Sequence, residues 1–407
     1  MAVFTRSDSS SAPCGAWHRR FWTALRILAG FEIALILATW PLWWRNHSFP
    51  VIPLLQGFSL PVIADRIAVC ILLVACLVVA SSSERSYWST TAQRISLVAA
   101  LILCVGNQQC LQAWHWLFIL GLGTAFFRAE DRLRLLRSIL ASVYVCSALS
   151  RMAPHPYQGI SAAIVDQLIR MTRVGSPLAH KEAAEFVCHA LNLAELAVGL
   201  LLIRPASRRY GILAAMGLHL TLLFALGPFG LRHHTGVLIW NICFLCLIPV
   251  AFFGPVSASV SGRTGQPWFY RVATLFVWVF PLSGLIGIAD NWPAWQLYST
   301  RPELWTLQVH ETDIKSLGPG ILPYVSEPAP LDDWATVRLD RWSLDETGSP
   351  MYPEDRFQCA VISNIVERLP ADTEFRIEIS APERWLWWRR VHRSVRTRAE
   401  LHSQCRP

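Results

Sequence analysis

At 407 residues, with 53% hydrophobic and 16% charged side chains and a mean hydropathy of +0.36, the chain is too apolar for an ordinary soluble protein, in which about a quarter of residues are charged. A single soluble core stops growing at about 250 to 300 residues, so lipid has to absorb this much apolar surface. The net charge of +8 is spread as short basic clusters between apolar runs, which is a membrane-topology signal and excludes the continuous basic patch of a nucleic-acid partner.

A bilayer core of about 30 Å needs about 20 largely apolar residues per helix. Nine runs qualify or nearly do: residues 21–42, 61–80, 95–105, 111–127, 135–150, 183–203, 211–226, 236–253 and 272–288. The third and fifth are short and are expected to be tilted or partly buried in protein. The first follows His18, Arg19 and Arg20 as a secretory signal would. It is too long for a signal, contains Arg26 and Glu32, and has no small-residue cleavage site, so it reads as a retained helix.

Counting bases in alternate loops sets the orientation. One side holds Arg6, Arg19, Arg20, Arg85, Arg94, the cluster Arg128, Arg132, Arg134 and Arg137, then Arg204, Arg208, Arg209, Arg263 and Arg271. The other holds only Arg45, Arg66, Arg151, Arg170, Arg173, Lys181 and Arg232. The expected layout is a cytoplasmic tail over residues 1–20, an all-α bundle of about nine transmembrane helices over 21–290, and a small soluble α+β domain over 291–407 on the outside of a plasma or inner membrane.

In that last domain, residues 304–309, 335–339 and 375–379 alternate as strands do, and residues 354–369 have helical spacing. The closing stretch, 383–398, mixes Trp385, Trp387 and Trp388 with six arginines. It reads as an aromatic-basic helix, lying on a membrane surface or docked on its own domain. Eight of the eleven cysteines lie in or beside apolar runs, where Cys is a small hydrophobe, whereas Cys359 and Cys405 are free to pair if the domain sits in an oxidising compartment.

Ionisable groups inside a membrane helix are costly and mark function by default. In the sixth run Glu185, His189, Asn192 and Glu195 step by four, three and three residues, confining them to an arc of roughly 120°. In the fifth, Tyr144, Ser147 and Arg151 share one face. Glu32 and His219 fall near the middles of the first and seventh runs. These nine residues compose a candidate intramembrane polar site, with polar glue between helices as the plainer reading. His233 and His234 after a Gly-Pro-Phe-Gly turn lack a third ligand at metal spacing, so no metal site is expected. Cys243 and Cys246 form a C-x-x-C, but inside an apolar run and away from any strand-to-helix turn. No phosphate-binding loop, dinucleotide fingerprint, nucleophile elbow or H-E-x-x-H is present, and no cofactor is evident.

Residues 25–30 (LRILAG) and 143–151 (VYVCSALSR), with Glu195 and His219 in later helices, resemble the horizontally transferred transmembrane (HTTM) domain shared with vitamin K-dependent gamma-carboxylases, and more loosely DoxX-like membrane proteins. The resemblance spans about residues 20–290 and implies a helical membrane fold. The family's enzymes carry a lysine near the end of the tyrosine helix as the base that deprotonates vitamin K hydroquinone. This chain has Arg151 there, and a guanidinium with a pKa above 12 is no general base. The resemblance therefore implies the architecture without gamma-carboxylation. The expected function is binding of a quinone-like or lipid-like molecule at the polar site. The alternative is an accessory anchor presenting the C-terminal domain to a membrane or periplasmic protein partner. A transporter reading lacks an internal repeat.

Overall fold

The computed structural model describes residues 12–55, 57–83, 86–154, 159–172, 181–254, 267–383 and 389–405. Its first part is a helical bundle: α1 (Ala12–Ala38), α2 (Trp40–Trp44), α3 (Val62–Ser81), α4 (Tyr87–Gly106), α5 (Ala113–Gly123), α6 (Ala129–Ser150), α7 (Gly159–Thr172), α8 (Lys181–Ile203), α9 (Arg208–Leu226), α10 (Thr235–Phe252) and α11 (Trp268–Ser283). Among the described residues eight of these, all but α2, α5 and α7, are long and apolar enough to cross a membrane.

The two runs expected to be short are the N-terminally extended α4 and α6, of 20 and 22 residues. Hydropathy underrates both because their polar side chains are used inside the protein. Gln93 in α4 is fully buried and donates to the Leu122 carbonyl at 3.0 Å, and Arg132 in α6 donates to the carbonyls of Phe127 and Ala125 at 3.0 and 3.1 Å. The short element is the fourth run, which forms α5 and a 3₁₀ turn over Thr124–Phe126. At about 1.5 Å and 2.0 Å per residue these reach roughly 22 Å. That is less than lipid demands, but His115, Leu117, Phe118 and Leu122 are all but fully buried, so α5 is matched to its neighbours and not to a bilayer.

The second part is a sheet of β1 (Leu304–His310), β2 (Trp334–Val337), β3 (Phe375–Pro382) and β4 (Arg390–Val395), with α12 (Leu339–Thr347) and α13 (Asp355–Val366) before β3 and α14 (Arg398–Gln404) last. The strands pair antiparallel in the order β2-β1-β3-β4. Leu307, Val309, Ile377 and Ile379 point inward, and α13 brings Phe357, Val361, Ile362 and Ile365 into the same core. Cys359 in α13 and Cys405 after α14 form a disulfide with Cα atoms 5.8 Å apart. The helix expected over 383–398 is corrected: residues 390–395 are strand β4, because β3 offers an unpaired edge that takes them in register from Ile377–Val395 to Pro382–Arg390. Trp385, Trp387 and Trp388 lie outside the described residues.

The α+β part is seated on one end of the bundle. Phe49, after α2, packs against Trp342 and Phe357 with ring centroids 4.8 and 6.4 Å away. The Gln109 amide donates to Ser343 Oγ and Thr347 Oγ1 at 2.8 and 3.0 Å. Asp290 binds both Arg356, at 2.8 and 2.5 Å, and the Tyr352 hydroxyl at 2.6 Å. At the opposite end the starts of α1 and α6 meet the close of α10: Arg20 donates to the Phe253 carbonyl, and Arg137 to that of Ala251 at 2.6 Å. α5 joins the two ends, from the Gln108–Gln109 turn under the α+β part to Phe126 beneath the Arg94 guanidinium.

Candidate intramembrane site

The close approach of α6 and α8 assembles most of the site. Gly199 makes it possible, since a Cβ there would lie 2.6 Å from Val145 Cγ2 and 3.2 Å from Tyr144 Cβ. Small residues at such crossings let backbones approach and polar side chains meet. From α6, Tyr144, Ser147 and Arg151 step along one face as their spacing requires. From α8, Glu195 forms an ion pair with Arg151, and Asn192 donates to the Arg151 carbonyl at 3.2 Å. Arg151 also turns back on its own helix to Ser147, 3.3 Å from its hydroxyl.

One turn deeper, Tyr144, His219 of α9 and Asn241 of α10 form a hydrogen-bonded row, exposed by 2%, 6% and 3%. Asn241 Nδ2 donates to the Val237 carbonyl at 2.8 Å, which turns its Oδ1 to His219 Nδ1, also at 2.8 Å. That oxygen can only accept, so the network assigns the proton to Nδ1. Nε2 is then the acceptor for the Tyr144 hydroxyl at 2.7 Å. Phe244 holds both rings, with centroids 4.9 Å from His219 and 5.6 Å from Tyr144. The phenol oxygen keeps its lone pairs for a ligand.

These groups line a cavity of about 180 Å³, whose other walls are largely apolar and include Trp114, Trp240 and Leu222. An apolar cavity of roughly 150 Å³ admits benzene, so a single six-membered ring is the right size. The roof comes from the α+β side, through Tyr298, Ser349 and Pro350. Tyr298 has φ +57° and the buried Trp295 φ +61°. Such left-handed conformations at large side chains cost on the order of 1 kcal/mol or more each, and concentrate at functional sites. Burial pushes the Tyr298 phenol up to about 12, against the opposing pull of Arg151, so it stays a neutral donor.

Of the nine candidate residues, Tyr144, Ser147, Arg151, Glu195 and His219 line the cavity, and Asn192 braces it. Glu185 and His189 occupy earlier turns of α8 and do not line it. Glu32 is elsewhere: its Oε1 lies 2.5 Å from His115 Nδ1 in a pair exposed by 1% and 0%, with Trp43 4.9 Å from the imidazole. His115 and Asn241 escaped the sequence reading. Each is a polar residue deep in an apolar run, the same signal that marked Glu32 and His219.

His233 and His234 are structural. His234 Nδ1 accepts the Gly236 amide at 3.1 Å as the cap of α10, and burial lowers both imidazole pKa values, keeping them neutral as that role requires. Among the described residues no group of three His, Cys, Asp or Glu side chains could hold a metal ion, no lysine lines the cavity, and Cys243 and Cys246 are free thiols. No protein-family model, curated protein or solved structure matches the chain.

Proposed function

We propose that this chain is a multi-pass membrane protein of HTTM-like architecture that binds a quinone-like or similar ring-bearing lipid in the Tyr144 cavity. The carrying observation is the composition of that cavity: a ring-sized, mainly apolar space with its polar atoms gathered at Tyr144, His219 and the Arg151–Glu195 pair. A quinol hydroxyl donates to the Tyr144 oxygen, whose own proton is already committed to His219. Arg151, neutralised by Glu195, offers N–H groups to a second ring oxygen. Meeting of the tyrosine helix, Arg151, Glu195 and His219 at one cavity supports the family reading.

Counting α5 gives nine crossings, which separate the N-terminus from the α+β domain. The arginine-rich end is cytoplasmic by the positive-inside rule, and the Cys359–Cys405 disulfide suits an external domain. An impermeant thiol reagent applied to intact cells is expected to label Leu331→Cys and spare Ser83→Cys; the reverse pattern inverts the orientation.

The binding reading is tested with full-length protein in nanodiscs free of quinone, titrated anaerobically with a short-chain ubiquinol, whose hydroxyl can donate to Tyr144, while the intrinsic tryptophan fluorescence, to which the cavity residues Trp114 and Trp240 contribute, is followed. Saturable quenching in the micromolar range is expected, weakened about tenfold by Tyr144→Phe, a loss equivalent to one hydrogen bond of about 1.4 kcal/mol. Quenching that never saturates, or that Tyr144→Phe leaves unchanged, rules the reading out. The accessory-anchor alternative gains no support from the roof, because the α+β domain is part of the cavity wall and not a freely displayed module.

A further inference from the structure

At the end of the bundle opposite the α+β domain, four guanidinium groups converge from three helices: Arg20 of α1, Arg134 and Arg137 of α6, and Arg208 of α9. Arg137 lies within electrostatic reach of the other three. It is exposed by only 6%. The positive-inside rule asks for bases in water beside the membrane, and it does not account for burying one among like charges.

The aromatic packing explains how the cluster is held but not what neutralises it. Trp17 lies under Arg137 at 4.6 Å and Arg134 at 5.9 Å, while Phe252 lies under Arg137 at 5.8 Å and Arg208 at 5.7 Å. Ring faces take the flat sides of the guanidinium groups and leave their N–H edges free. Some edges find backbone oxygens: Arg137 Nε at Ala251, Arg208 Nε at Leu202 at 3.2 Å, and Arg20 at Phe253. Arg137 Nη2 and Arg208 Nη1, however, are buried with no hydrogen-bond partner. Among the described residues no carboxylate forms an ion pair with any of the four; Asp131 acts on Arg134 only at longer range.

We propose that this cluster is a binding site for a phosphate oxyanion, with the headgroup of an anionic phospholipid or free inorganic phosphate as its source. A phosphate accepts from several guanidinium edges at once and supplies the charge the site lacks. Basic recesses between transmembrane helices at the cytoplasmic end take anionic headgroups in this way. The inference rests on the membrane reading of the fold and is independent of the Tyr144 cavity, so quinol titrations do not bear on it.

The test uses full-length protein, delipidated in detergent, with native mass spectrometry and thermal unfolding as readouts. Phosphatidylglycerol, phosphatidylcholine and inorganic phosphate are added separately. Retention of phosphatidylglycerol over phosphatidylcholine, with a higher unfolding temperature, is the expected result and identifies a lipid source. Protection by millimolar inorganic phosphate alone keeps the site and makes the source soluble. Arg134→Gln with Arg208→Gln removes two of the less buried charges and is expected to lower affinity for the bound species roughly 25-fold, about fivefold per charge. Equal binding of the two lipids without phosphate protection overturns the site, and this wild-type comparison holds even where the double variant fails to fold. Undiminished binding in a folded double variant overturns it as well.

Discussion

Among the described residues two imidazoles, His115 and His219, are buried in this bundle, and they are buried differently. His219 has both nitrogens engaged, between Tyr144 and Asn241, and one edge of its row opens on a cavity. His115 has one nitrogen against Glu32, while its Nε2 and Glu32 Oε2 have no partner, and neither residue lines the cavity. The first is a completed neutral network with an oxygen turned to empty space, as a ligand site requires. The second is a closed pair whose two members need each other, because each alone is a buried polar group in a low dielectric.

The contrast breaks most sharply at the closed pair. Glu32→Leu leaves His115 alone and is expected to cost about 3–5 kcal/mol, read as a fall in thermal unfolding temperature in nanodiscs, with quinol affinity unmoved. Adding His115→Leu should return most of that stability, and a double variant as unstable as the single one would disprove the pairing. At the open site the balance reverses. Asn241→Leu strips His219 Nδ1 of its acceptor at a cost of about 1–3 kcal/mol, and its clearer effect is a loss of quinol quenching through the displaced imidazole.

The smallest lever is in the α+β part, away from the cavity. Glu354, which accepts from the Asn291 amide and side chain at 2.6 and 2.9 Å, is pushed up to about 7, chiefly by burial and then by Asp290. From an unfolded value near 4.5, folding takes up a proton between about pH 4.5 and 7. Stability conferred by this group is therefore full below pH 4.5 and is lost as pH rises through 7, with a slope of at most about 1.4 kcal/mol per pH unit. Glu354→Gln should flatten denaturation midpoints measured across that window; an unaltered pH profile shows that another group titrates there.

Much of this fold was legible in the sequence for a physical reason: lipid imposes a length and a polarity on every helix that touches it. Where a helix touches protein the rule lapses, which is why the extent of α4 and α6 was underread and the shortness of α5 missed. Gln93 and Arg132 look like breaks in apolar runs only until their carbonyl partners are known. Strand β4 was misread because its arginines carry no period strong enough to outweigh the pairing offered by β3. At the site, Tyr144, Ser147 and Arg151 were legible from spacing alone, since three- and four-residue steps fix a helix face. That Glu32 and His219 belong to different places was not, because helix order around a bundle is not written in any one helix.

The cavity is walled by residues as far apart as Thr39 and Pro350, with its roof contributed long after the last bundle helix. A chain emerges from the ribosome N-terminus first, and domains fold as they arrive. On the topology proposed above, the bundle inserts with Tyr144 and His219 uncovered, and the proposed binding chamber comes into being only when the chain after about residue 290 has crossed, folded and settled on top. Maturation of this protein is in that sense the closing of a vessel, and a chain truncated before Pro350 is an open one.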